Sequence, residues 1–214
     1  MSVDIVYLGH SAFKIKDRQK TVVTDPYTEV VGKLPRDLEA DIVTVSHKHP
    51  DHNAVDKVKG HQFVIDGPGE YEVGGISVIG VPTFHDDAGG EKRGANTAYV
   101  IEIEGLRIVH LGDLGHKLSQ ETLEEIGSVD VALVPVGGNY TIDAKTAKEV
   151  VAQVDPWIVI PMHYQMNELL MKDIAPVEDF LKEMGKPDVV PIPKLSLSLD
   201  KLPTEMQIVV LEKK

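Results

Sequence analysis

Residues 46–53 read SHKHPDHN, which places His47, His49, Asp51 and His52 within six positions. Imidazoles this close repel one another when protonated, and they pack poorly as apolar core. A shared divalent cation resolves both problems. Such ions take imidazole nitrogen at about 2.0–2.1 Å and carboxylate oxygen at about 2.0–2.2 Å, usually four ligands at a time. Four candidates in six residues supply two adjacent ions with two ligands each, and the remainder must come from elsewhere. Three further residues close strand-like runs: His85 ends VIGVPTFH, Asp113 ends LRIVHLGD and His163 ends WIVIPMH. Asp113 suits a bridging place, because a carboxylate offers one oxygen to each ion. Asp25, in VVTDPY, suits the orienting of a ligand, since ligating imidazoles usually donate their other N–H to a carboxylate or carbonyl.

The elements that position these residues follow from periodicity. The first 25 residues alternate as short strands joined by tight turns. The β-branched run IVTV at 42–45 reads as a buried strand that leads into the histidine cluster, with His47 and His49 two apart and so on one side. HQFVID, GGISVIGV, TAYVIEIE, LRIVHLGD, VDVALVPV and WIVIPMH continue the strand pattern, and LSLSL and MQIVVLE close it. Helices are expected at 119–127 with Ser119 as N-cap and Gly127 as stop, at 141–154, and at 176–184 with Pro176 near the first helical position. Strand-rich ends with helices between them predict an α/β (α+β) chain in which helices cover sheets. The segment HDDAGGEKRGAN at 85–96 reads as a long loop of the kind that carries function. Within it Lys92 and Arg93 are candidates for contact with an anionic substrate, with a solvated loop charge as the favoured reading.

Composition sets the outer bounds. A chain of 214 residues fits a single domain over 1–214, and 42% hydrophobic with 26% charged residues is ordinary for a globular protein. Cysteine is absent, so any metal site uses nitrogen and oxygen ligands, and no GxSxG elbow offers a serine nucleophile. No apolar run approaches the roughly 20 residues of a membrane helix. The opening MSVDIVYLGHSAF lacks the features of a signal peptide, so a cytoplasmic location is expected. The net charge of −12 argues against a phosphate-tracking surface, so nucleic acid is not expected as a partner, whereas a small-molecule substrate is.

The string His47-Lys48-His49-Pro50-Asp51-His52 resembles the HxHxDH signature of the metallo-β-lactamase-fold hydrolase superfamily. Asp25, His85, Asp113 and His163 match the family's other motifs in order. The opening LGHSAF and the segment GDLG are similar to the branch related to L-ascorbate-6-phosphate lactonase. The resemblance implies a four-layer αββα sandwich of two mixed sheets with helices outside. It also implies that His47, His49 and His85 hold one ion, that Asp51, His52 and His163 hold another, and that Asp113 bridges them. Zinc is the first expectation, with manganese or iron as alternatives. The chemistry so implied is attack by a metal-bound hydroxide on an ester, lactone, amide or phosphodiester bond. Asp51 would hold the attacking water, and His10 or His116 would protonate the leaving group. His61 and His110 are read as structural. Three other functions compete: a nucleic-acid phosphodiesterase on the same fold, a di-iron oxidoreductase and a non-catalytic metal-binding protein. The di-iron reading is disfavoured because flavin-partnered di-iron members carry a glutamate where His49 stands here.

Overall fold

The computed structural model describes residues 2–214. Two mixed sheets face one another. The first contains β1 (Val3–Gly9), β2 (Ala12–Lys16), β3 (Thr21–Thr24), β4 (Ile42–Thr44), β5 (Phe63–Ile65) and, far along the chain, β12 (Leu195–Leu197). Its order is β12-β1-β2-β3-β4-β5, antiparallel up to β3 and parallel from β3 to β5. The second contains β6 (Gly69–Val73), β7 (Ile76–Phe84), β8 (Ala95–Ile103), β9 (Leu106–His110), β10 (Val131–Pro135), β11 (Ile158–Met162) and β13 (Gln207–Ile208). Its order is β13-β11-β10-β9-β8-β7-β6, with β9, β10, β11 and β13 parallel.

Strand alternation decides which residues fill the space between the sheets. Val3, Ile5 and Tyr7 of β1 turn inward with Phe13, Val22 and Ile42, and they join one core with Val78, Tyr99 and Ile101 of the second sheet. The opposite face of the first sheet presents Leu8, Ala12, Val23 and Val43 to a separate cluster built by Tyr27, Val31, Leu38 and Val58. That face is therefore covered mainly by the connection between β3 and β4 and its continuation, not by a long helix. The helices α1 (Gln120–Ile126), α2 (Ala144–Val154) and α3 (Val177–Glu183) serve the second sheet: α2 packs on β10 and on α3, and α1 on β7. Each fully buried Ile, Leu or Phe contributes about 1.5–3 kcal/mol of transfer free energy.

Several details differ from the sequence expectations, and the closing run MQIVVLE keeps strand only at Gln207–Ile208. Helix α2 begins three residues later than 141, because Asp143 caps it by accepting from the Thr146 N–H at 2.8 Å. The hairpin strand β6 was not expected from GEYEV, whose charged residues hide the alternation on an edge strand. Helix α1 keeps its Ser119 cap and Gly127 stop, and α3 takes Pro176 as its N-cap with Gly185 beyond its end at φ 69°.

Candidate metal centre

The site lies at one rim of the sandwich, where strand after strand ends in a polar side chain. His10 follows β1, Asp25 follows β3, the segment 46–52 follows β4, His85 follows β7, Asp113 follows β9, and His163 follows β11. For the parallel strands this is the carboxyl end, the usual place for a ligand site in such sheets. Three of these residues leave their strands in the left-handed region: His10 at φ 57°, Asp25 at φ 39° and His163 at φ 52°. Non-glycine residues adopt this conformation seldom, and holding it costs of order 1–3 kcal/mol each. The surrounding hydrogen bonds sustain it. The His10 carbonyl accepts from the Tyr7 hydroxyl at 2.8 Å and from the His163 N–H at 2.8 Å, which ties the two sheets together beneath the site.

His47 and His49 do not extend the strand as the periodicity predicts. β4 stops at Thr44, and residues 46–52 form a bend and a turn closed by the His52 N–H on the His49 carbonyl at 2.9 Å. The two imidazoles nevertheless meet, with ring centroids 4.6 Å apart. Pro50 and the short turn achieve this instead of strand alternation.

The ligand atoms of His47, His49 and His85 lie within 4.8 Å of one another, as do those of His10, Asp51, His52 and His163. A third group, His47, His52 and Asp113, joins the two. One Asp113 oxygen, Oδ2, is 3.1 Å from His85 Nε2 in the first group, and 3.1 Å from His52 Nε2 and 3.3 Å from His163 Nε2 in the second. That is the position a bridging carboxylate would need. All seven expected ligands thus converge. His10, expected near the cleft as an orienting, substrate-facing or structural histidine, is wholly buried, with Nε2 at 3.2 Å from His52 Nε2 and 3.3 Å from Asp51 Oδ2.

The donor set suits divalent cations by a test internal to the site. His47 Nε2, His163 Nε2 and Asp113 Oδ1 are buried and have no hydrogen-bond partner among the described residues. Buried polar atoms left so are costly, and a cation in each group would satisfy the imidazole nitrogens, with Asp113 reaching both groups. Protonation supports the same fit. Burial pulls His47 down to about 3, helped by the neighbouring His52, and pulls His10 down to about 4, helped by His163. Burial and His85 also lower His49. These rings are neutral at pH 7, the ligating form. Burial opposes the charge on Asp113, but His163 and His52 outweigh it and keep the carboxyl ionised. Burial likewise opposes a charge on His52, and Asp113 and Asp25 outweigh it, raising its pKa. Because His52 Nδ1 donates to Asp25, Nε2 holds either that extra proton or a cation, not both.

Asp25 is fully buried behind the ligands. Its carboxylate accepts from the Ser46 N–H at 2.7 Å, the Ser46 hydroxyl at 2.6 Å and His52 Nδ1 at 2.8 Å. Ser46 Oγ in turn lies 3.0 Å from His47 Nδ1, so one carboxylate orients two imidazoles from adjoining groups. Asp113 is held by its own N–H, which donates to Asn96 Oδ1 at 2.9 Å. Ser46 and Asn96 carry no sequence signal beyond their position near the motif and at the start of a strand.

The remaining candidates separate clearly. His116 is half-buried outside the cleft: Nε2 accepts from the Phe84 N–H at 3.0 Å, and Nδ1 lies 2.7 Å from the Lys117 carbonyl. With both ring nitrogens engaged by main chain, it has no free position from which to act as an acid. His110 bridges the Ser11 carbonyl and the Gly112 N–H, and His61 reaches the Val58 carbonyl, both through hydrogen bonds that shape the backbone. Lys92 pairs on the surface with Asp87 at 2.7 Å. Arg93, read as a solvated charge or a substrate contact, lines a cleft of about 460 Å³ that opens onto His49, Asp51, His85 and Asp113. Tyr140 forms part of the same wall, and its loop gave no sequence signal of a site.

Comparison with known proteins identifies the family. Residues 4–163 match the Beta-lactamase superfamily domain. A UPF0173 metal-dependent hydrolase of Thermococcus onnurineus is 32% identical over 211 residues, covering 86% of this chain and 92% of that protein. A crystal structure from Thermotoga maritima, assigned as a Zn-dependent hydrolase of the metallo-β-lactamase superfamily, superposes with a TM-score of 0.79. It is 41% identical, and 98% of each chain is covered. A metallo hydrolase of Ignicoccus hospitalis shares the fold alone, at a TM-score of 0.69 and 20% identity over 93% of this chain and all of that one. The similarity to the lactonase branch rests on LGHSAF and GDLG only. By domain match, relatives and architecture together, the chain belongs to the metallo-β-lactamase superfamily, in the family of UPF0173 metal-dependent hydrolases.

Proposed function

We propose that the protein hydrolyses an ester, lactone, amide or phosphodiester bond of a small molecule, using two divalent ions. His47, His49 and His85 would hold one ion, Asp51, His52 and His163 the other, and Asp113 would bridge them. The observation that carries this reading is the single Asp113 oxygen set between the imidazoles of both groups. Zinc suits the nitrogen-rich donors, as the name of the Thermotoga relative also suggests, and manganese or iron accept the same ligands. Such ions, when bound, lower the pKa of water towards neutrality and polarise the bond under attack.

The chain's own residues supply the rest. Asp51 is the partly exposed carboxylate of its group, with 23% side-chain exposure, and it lines the cleft. Burial opposes its charge, but the hydrogen bond from His10 and the charge of His52 hold its carboxyl well below the usual range. It therefore stays an acceptor at neutral pH and orients an incoming water. His10 does not reach the cleft wall and serves as a positioning residue for Asp51. Asp25 and Ser46 fix the tautomers of His52 and His47. The small volume of the cleft favours a small substrate over a nucleic-acid strand.

A panel of esters, lactones, amides and phosphodiesters tests the proposal. The metal-loaded protein is expected to turn over at least one class, and chelation or His47→Ala to abolish that turnover while the fold persists by circular dichroism. Turnover that survives both treatments would refute the reading, and metal binding without turnover would favour a non-catalytic role.

A further inference from the structure

We propose that Arg93 and Tyr140 form a recognition site for an anionic group, a carboxylate or phosphate-like head, on a small substrate whose apolar part lies against Val30, Val31 and Met171. This deepens the hydrolase reading and rests on it for the scissile bond alone.

The guanidinium carbon of Arg93 stands 5.4 Å from the centre of the Tyr140 ring, within cation–π range. No ion pair joins that guanidinium to a carboxylate among the described residues, in a chain with 34 acidic residues and a charge of −12. Its neighbour Lys92 does take such a partner, Asp87. Arg93 thus presents an uncommitted fork of N–H donors in the wall that also holds His49, His85 and Asp51. Guanidinium matches carboxylate and phosphate oxygens two at a time, which makes it selective for those heads.

The loop that carries Arg93 and the Tyr140 ring are each set in place from outside the cleft. The Asp86 carboxylate accepts four backbone N–H groups, those of Ala88, Gly90, Lys92 and Arg93, at 2.7–3.0 Å. The glycine-rich loop is therefore wound around one buried acid, directly after the candidate ligand His85. The Tyr140 hydroxyl donates to the Asp173 carboxylate, and Asn139 Nδ2 reaches the same residue at 3.2–3.3 Å. A prearranged cation over a fixed ring costs little ordering when an anion arrives.

The remaining wall explains why the anion needs this partner. Val30, Val31, Met171 and Pro50 line the cleft, and Val30 is 62% exposed at its rim. A charged head placed among such side chains loses hydration without compensation unless a cation meets it. Among the described residues, Arg93 is the only lysine or arginine in that lining.

Nitrophenyl esters of matched chain length, ending in a carboxylate, a phosphonate or a neutral methyl group, provide the test on the metal-loaded full chain. The two anionic arms separate a carboxylate from a phosphate-like source. The wild-type protein is expected to prefer at least one anionic ester in kcat/KM. Arg93→Gln, which keeps the main-chain N–H that Asp86 holds, is expected to lower that value about tenfold more than it lowers the value for the neutral ester, since a charged hydrogen bond is worth about 1.5–3 kcal/mol and about 1.4 kcal/mol is tenfold. Arg93→Lys should fall between. Equal losses on all three esters overturn the proposal. Absence of turnover on all three removes the support for an esterase. Calorimetric titration of hexanoate and hexylphosphonate into the metal-loaded proteins then decides the recognition site separately. Binding weakened about tenfold in Arg93→Gln supports it, and unchanged binding overturns it, because any contact of the anions with the metal ions persists in both proteins.

Discussion

His10 shows what burial does to one residue. Its ring is wholly buried, in the left-handed backbone conformation, against Asp51, His52 and His163. Its neutral form is enforced, with the pKa drawn to about 4 by burial, and that of His47 to about 3. The consequence for the metal-free protein has a definite sign. Between pH 6.5 and about 4 the unfolded chain takes up protons that the folded imidazoles refuse, so stability falls as pH falls through that window, by about 1.4 kcal/mol per pH unit for each such proton. His52, whose pKa is raised, is protonated in both states there and contributes nothing; its effect lies above pH 6.5, where folding loses stability as pH rises. Urea unfolding of the metal-free protein at stepped pH should show the acid slope, and His10→Gln should reduce it. A flat profile from pH 6.5 to 4 would contradict the buried, neutral state of these rings. The sequence made His47, His49, Asp51 and His52 legible through spacing alone. It did not reveal His10's burial, because a lone histidine after a strand has no periodic partner to indicate which way it faces.

At the scale of elements, the site is a set of strand ends, and its precision depends on how closely the connections approach. Gly112, between β9 and Asp113, shows this. It sits at φ 56°, and a Cβ there would lie 2.7 Å from Ser46 Cβ and would also strike Asn96 Oδ1. Ser46 is hydrogen-bonded to Asp25, and Asn96 holds the Asp113 N–H. Gly112→Ala therefore both strains the backbone and displaces the groups that orient the ligands. Urea unfolding should register a loss of about 1–3 kcal/mol, accompanied by weaker metal binding. Wild-type stability in this variant would show that the approach is less tight than described. Strands β1, β7, β8, β10 and β11 were legible from alternation or from continuous apolar runs. The departure of His47 and His49 from β4 was not, since a run of four β-branched residues followed by polar ones does not indicate where pairing stops. The cleft wall was not legible either. Arg93 and Tyr140 come from separate loops, and their meeting depends on Asp86 and Asp173, whose hydrogen bonds are made only in the folded chain.

For the whole molecule, two sheets with unlike covers share one polar rim. The second sheet has helices outside, while the first is closed by the chain around Tyr27, Val31 and Leu38. That covering segment also supplies Val30 and Val31 to the cleft, so the packing of the first sheet and the shape of the substrate site are coupled. No described helix is long and apolar enough to cross a membrane. The αββα expectation drew on resemblance more than on pattern, because periodicity finds strands but not which strands share a sheet. The central claim is that this rim binds a pair of divalent cations through His47, His49, His85, Asp51, His52, His163 and Asp113. Elemental analysis of the purified protein, beside His47→Ala and His163→Ala, tests it most directly. Two divalent ions per chain are predicted, with each variant losing metal from its own group. A chain that folds without divalent metal and cannot be loaded, or variants that keep the full complement, would contradict the account.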